Sequence, residues 1–169
     1  MTTQTLLSLS LIAHVLSAAF WTGAILFFAY AVLPAGEAFD RPALNVLLDR
    51  LLRVTRWTGI VLPITGAYQL WVLYPLAPDA LLSSWRGQLV VAMLALWGLL
   101  NGLLELACYR MRTVDGPVAL APYVREGFLV DGGVTGASVA EIRAVGRPYV
   151  LASVGLAVAL LADAALLAS

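Results

Sequence analysis

The run LLSLSLIAHVLSAAFWTGAILFFAYAVL, residues 6–33, holds no Asp, Glu, Lys or Arg. A helix needs about 20 apolar residues to cross the hydrocarbon of a bilayer, and this run exceeds that. Three further stretches are long enough to do the same: 54–74, 86–108 and 148–168. The expectation is an all-α integral membrane protein, one transmembrane domain over residues 1–169, folded as a four-helix bundle with short loops. Composition agrees. The chain of 169 residues is 62% hydrophobic and 12% charged, with mean hydropathy +0.91, whereas soluble domains are roughly half apolar and about a quarter charged. A cleaved signal peptide is the competing reading of residues 6–33. No basic residue precedes the run, and it outlasts an h-region of about 7 to 15 residues, so it reads as a retained helix.

Prolines punctuate the spans. Pro34 closes the first and Pro75 the second, and Pro148 suits the first turn of the fourth, where a missing N–H costs nothing. Pro63 falls inside the second span and is expected to kink it. Asp40 ahead of Arg41 and Pro42 reads as the N-cap of a short interfacial helix over 41–53, with Leu44, Leu47, Leu48 and Leu51 on its apolar side. Residues 109–147 carry Asp115, Pro117, Pro122, Asp131, Gly132 and Gly133 and read mostly as loop, with Ser138 and Glu141 spaced to cap a short interfacial helix.

All ten basic residues are arginines. Arg41, Arg50, Arg53 and Arg56 flank the first connection, and Arg110, Arg112, Arg125, Arg143 and Arg147 flank the third; Arg86 alone flanks the second. The positive-inside rule then places the first and third connections in the cytoplasm and both termini outside a plasma membrane crossed several times. Net charge is zero, which gives nucleic acid no footprint. A single cysteine, Cys108, excludes an intramolecular disulfide and a CxxC metal site.

Polar groups inside the spans are costly and mark the bundle interior or a cavity. At about 1.5 Å per residue from each span's midpoint, His14, Gln69, Met93 and Asp163 fall at one level, roughly 7 to 9 Å toward the outside. Ser10, His14, Ser17 and Trp21 share one face of the first helix, as Thr58, Leu62, Thr65 and Gln69 share one of the second. Ala152, Gly155, Ala159 and Asp163 form a small-residue stripe on the fourth, suited to close packing within the bundle or between copies in a homo-oligomer. Imidazole suits copper, iron and zinc, and a thioether suits Cu(I), so His14, Met93 and Asp163 are the candidate metal contacts. The alternative is that His14 and Asp163 neutralise each other while Gln69 bridges helices. Toward the cytoplasm, Arg56 and Glu105 sit at matching depth and are expected to pair, with Asn101 one turn away; proton relay is the other use of such a pair. Trp57, Trp71, Tyr74, Trp85, Tyr109 and Tyr149 read as interfacial belts. No nucleophilic triad, paired-carboxylate site, phosphate loop or nucleotide fingerprint appears, so soluble-type catalysis has no support.

AHVLSAAFWTG at 13–23 with His14, Trp21 and Gly23, the following Pro34, TGAYQLW at 65–71 and SWRGQL at 84–89 with Gly87 together resemble CopD-type copper resistance proteins, over residues 10–100. The resemblance implies copper uptake or resistance beside an extracytoplasmic copper-binding partner, with His14 as the functional histidine. Met93 stands where such proteins often carry a lysine. Small four-helix proteins of the bacterial protoporphyrinogen oxidase type share the His and Trp motif, which makes a haem-linked membrane oxidoreductase the second expectation; the missing lysine weighs against it. A structural or accessory subunit without ligand is the third.

Overall fold

The computed structural model describes residues 2–73, 78–128 and 136–168. Tyr74, Pro75, Asp131, Gly132 and Gly133 therefore lie outside the described residues. Six α-helices occur among those described: α1 Thr3–Phe27, α2 Arg41–Leu73, α3 Pro78–Ser83, α4 Trp85–Arg112, α5 Leu120–Arg125 and α6 Val139–Ala168. They contain no strand. Three of the long helical stretches, Thr3–Val32, Trp85–Arg112 and Val139–Leu167, are long and apolar enough to cross a membrane.

Thr2 caps α1 by accepting from the Thr5 N–H. The helix then widens into a π-turn over Phe28–Val32, sealed by Leu33 N–H to the Phe28 carbonyl at 2.9 Å, immediately before Pro34. Asp40 accepts from the Ala43 N–H at 2.8 Å and starts α2. The expected division into an interfacial helix 41–53 and a span 54–74 does not occur: α2 is one helix of 33 residues. Nothing between Arg53 and Val54 breaks a helix, so the change from amphipathic to apolar marks a change of surroundings and not of backbone.

The loop expected over 109–147 is also shorter. α4 runs on to Arg112, and α5 lies within it. Ser138 and Glu141 do form a reciprocal capping box, Ser138 N–H to Glu141 Oε2 at 2.9 Å and Glu141 N–H to Ser138 Oγ at 3.3 Å. The helix it opens is not short. It continues through Pro148, which lies inside α6 and not in a first turn; capping fixes the start, and proline inside a membrane helix is tolerated because neighbouring groups satisfy the freed carbonyl.

α1 packs mainly on α2 and α4 mainly on α6. Ser10 and His14 meet Thr65 and Gln69, and Met111 lies over Gly146, so both pairs are antiparallel. α3 folds back on α4, where the Leu81 backbone approaches Gly87 so closely that a Cβ would overlap it. The fully packed core lies at one end: Trp21–Leu33 of α1, Leu44–Leu62 of α2, Leu100–Met111 of α4 and Ile142–Ala157 of α6 supply most of it. That end also gathers the first and third connections, tied by Arg41 to the Gly136 carbonyl at 2.7 Å. Away from it the helices expose large apolar side chains, among them Val15, Phe20, Ile64, Trp71 and Leu99. An apolar outside over such lengths is a surface for lipid. Of the small-residue stripe of α6, Asp163 is buried but Ala152, Gly155 and Ala159 do not pack within this chain; the buried row is Val150, Ser153, Val154 and Ala157.

Candidate functional site

Two polar clusters lie along the helices. The outer one joins α1 to α2. His14 Nδ1 is 2.8 Å from Thr65 Oγ1, Ser10 Oγ donates to the Thr65 carbonyl at 3.2 Å, and Gln69 Nε2 donates to the Ser10 carbonyl at 3.3 Å. His14 is half-buried, with its Cε1 edge against Gly66. Thr65 Oγ1 carries one proton, and that proton is directed to the Val61 carbonyl at 2.7 Å, with Leu62 at 3.1 Å. The arrangement that keeps every bond makes Thr65 the acceptor and His14 Nδ1–H the donor. Nε2 then bears the lone pair. The ring also engages the Leu62 backbone carbonyl. A neutral imidazole oriented through Nδ1–H is a form in which histidine ligates metals.

The remaining outer candidates are placed less compactly. Ser17 is half-buried with no hydrogen bond among the described residues. Trp21 is wholly buried, and its indole N–H has no partner. Met93 is half-buried on α4. Asp163 on α6 is buried, and its Oδ2 has no hydrogen-bond partner. Among the described residues no group of three or more His, Cys, Asp or Glu stands close enough to hold a metal ion. His14 and Asp163 form no ion pair among the described residues.

The inner cluster is larger. Arg56 and Glu105 form a bidentate pair, Nε to Oε1 and Nη2 to Oε2, both at 2.8 Å. Arg56 Nη1 also donates to the carbonyls of Tyr123 at 2.9 Å, Val124 at 3.2 Å and Glu126. The guanidinium lies over the Tyr123 ring, 4.7 Å from its centroid, and planar delocalised charge suits that stacking. Tyr123 OH donates to Glu105 Oε2 at 2.9 Å. Burial, with Cys108 and Glu105 beside it, pushes the Tyr123 phenol well above its ordinary range. A second arginine completes the cluster: Arg112 Nε is 3.6 Å from Glu126 Oε2, and Nη1 donates to Asn45 Oδ1 at 3.2 Å. Gly127, at φ +72°, turns the chain directly over the α2 backbone at Leu52 and Arg53, a conformation that favours glycine.

So α5 and residues 126–128 are strapped across α2 and α4 by Arg56. Tyr109, expected in an interfacial belt, packs edge-on against Tyr123 with centroids 5.2 Å apart. Trp57 does the same to Phe128 at 5.6 Å. Cys108 is buried in the core. Tyr123, Glu126, Arg112 and Asn45 were not foreseen as members of the cluster. Their one local signal is the presence of charged and amide groups inside apolar surroundings, which states that partners exist and not which. No known protein family, curated protein or solved structure matches this chain.

Proposed function

We propose that the chain is an integral membrane protein of four spans that handles copper as cargo, with His14 as the donor that meets the ion. The fourth span is the apolar half of α2, residues 54–73, paired along α1. The arginine-rich packed end faces the cytoplasm and both termini face outward, the orientation that charge bias favours. One observation supports the metal reading: His14 is held through Nδ1 by Thr65, in the tautomer that leaves the lone pair on Nε2. A single fixed imidazole offers one bond to an ion in passage. Met93 and Asp163 are the donors of suitable chemistry on α4 and α6, and a delivering partner outside the membrane, or a second copy of the chain, supplies the rest of the coordination.

A ligand-free accessory subunit is the second reading. It is favoured by the same hydrogen bonds, since Ser10, His14 and Gln69 all tie α1 to α2. Copper content of detergent-purified protein after copper exposure separates the two. Wild type retains copper, His14→Ala loses it, and Thr65→Val, which frees the ring, retains less. Equal copper in all three, with the variants folded, leaves the accessory reading. A Soret band instead of copper moves the assignment to a haem-linked oxidoreductase with single axial ligation.

A further inference from the structure

Between α2 and α4 a groove of about 710 Å³ runs up from the Arg56–Glu105 pair, with Gly59, Ile64, Trp97, Asn101, Tyr109 and Phe128 among its lining residues. Its size is that of a small-molecule site, roughly 300–1,000 Å³. Ile60, Ile64 and Leu106 stand exposed along it, so it opens sideways into lipid. The Asn101 amide makes no hydrogen bond among the described residues, although it projects into this groove. Its Oδ1 occupies space that a Cβ on Gly59 would crowd, at 2.9 Å. An unpaired amide facing hydrocarbon is expensive, and Asn101 on the groove wall points to an occupant.

Depth identifies its chemistry. Arg86 and Arg110 bound the apolar part of α4, and Asn101 lies within about 5 Å of the level midway between them. Half of the hydrocarbon is about 15 Å thick, which leaves phospholipid ester carbonyls well out of reach at the interface. The occupant must carry its acceptor into the bilayer centre, and the groove offers aromatic walls in Trp97, Tyr109 and Phe128. We propose that this groove binds a membrane-soluble quinone, a ring carbonyl of which accepts from the Asn101 amide. The site is separate from His14 and does not depend on the metal reading.

The test titrates a decyl-substituted benzoquinone into detergent-solubilised protein and follows tryptophan fluorescence. Wild type gives saturable quenching that excess diacyl phosphatidylglycerol does not reverse. Asn101→Leu, which replaces the amide with an apolar side chain of similar size, weakens binding about tenfold. Ile64→Trp, at the exposed rim, abolishes it without touching the packed core, and His14→Ala leaves it unchanged. Quenching that fails to saturate, that is identical in wild type, Asn101→Leu and Ile64→Trp, or that phospholipid reverses overturns the proposal.

Discussion

Replacing Arg56 with methionine removes the group on which the packed end converges. Its side chain is 5% exposed, and it satisfies the Glu105 carboxylate and three carbonyls of the 123–126 segment. Breaking a buried pair from one side costs about 3–5 kcal/mol, because the partner is left charged and uncompensated. Glu105 keeps 31% of its side-chain surface open and retains the Tyr123 hydroxyl, so solvent screening holds the cost to the lower end, about 3 kcal/mol, or roughly 150-fold in the unfolding constant. The double variant R56M/E105M removes both charges and is expected to be more stable than R56M by about 1–2 kcal/mol, with the three carbonyls still lacking their donor. Unfolding in mixed SDS micelles, followed by far-UV circular dichroism, gives both numbers. Trypsin cleavage after Arg125 provides a local readout, since the strap loses its carbonyl anchors in R56M. If R56M costs less than about 1 kcal/mol, or if the double variant is no more stable than the single, the pair does not hold this end together.

Gly87→Ala is expected to cost about 1–3 kcal/mol and to detach α3 from α4, because the added methyl meets the Leu81 backbone and not a side chain that can turn aside; a thermal melt in detergent measures it. Tyr123 supplies a pH dependence. Its phenol is raised in the folded protein, so the unfolded chain releases that proton first, near pH 10. Its contribution is then complete below that pH and is lost above it, at up to about 1.4 kcal/mol per pH unit. Melts of wild type and Tyr123→Phe between pH 8 and 11 are expected to show the alkaline loss attenuated in the variant; equal slopes refute the assignment.

Much of this architecture is legible in particular residues. Residues 6–33 declare a membrane helix by length alone, although nothing in FFAYAV announces the π-turn at Phe28–Val32. Asp40 and the Ser138–Glu141 box mark helix starts correctly, since a cap is a local device. Pro148 misleads for the same reason. A proline favours a first turn but does not require one, and the box ten residues earlier sets the start of α6. Arg56 and Glu105 are found by matching depth on antiparallel helices, because an ion pair inside a membrane has few alternative partners. The strap from Tyr123 to Phe128 escapes such reasoning: which carbonyls an arginine takes depends on the path of a loop. In the outer cluster His14 and Gln69 are readable as polar residues in lipid, whereas the role of Thr65 rests on where its one proton goes, and that follows only from the distances to Val61 and Leu62.

His14 Nε2 is proposed to meet the metal. X-ray absorption at the copper edge on copper-loaded protein tests it without reference to transport. The outer-shell scattering of one imidazole is expected in wild type, and its disappearance in His14→Ala. Bound copper whose spectrum lacks imidazole scattering, or is unchanged by the substitution, contradicts it.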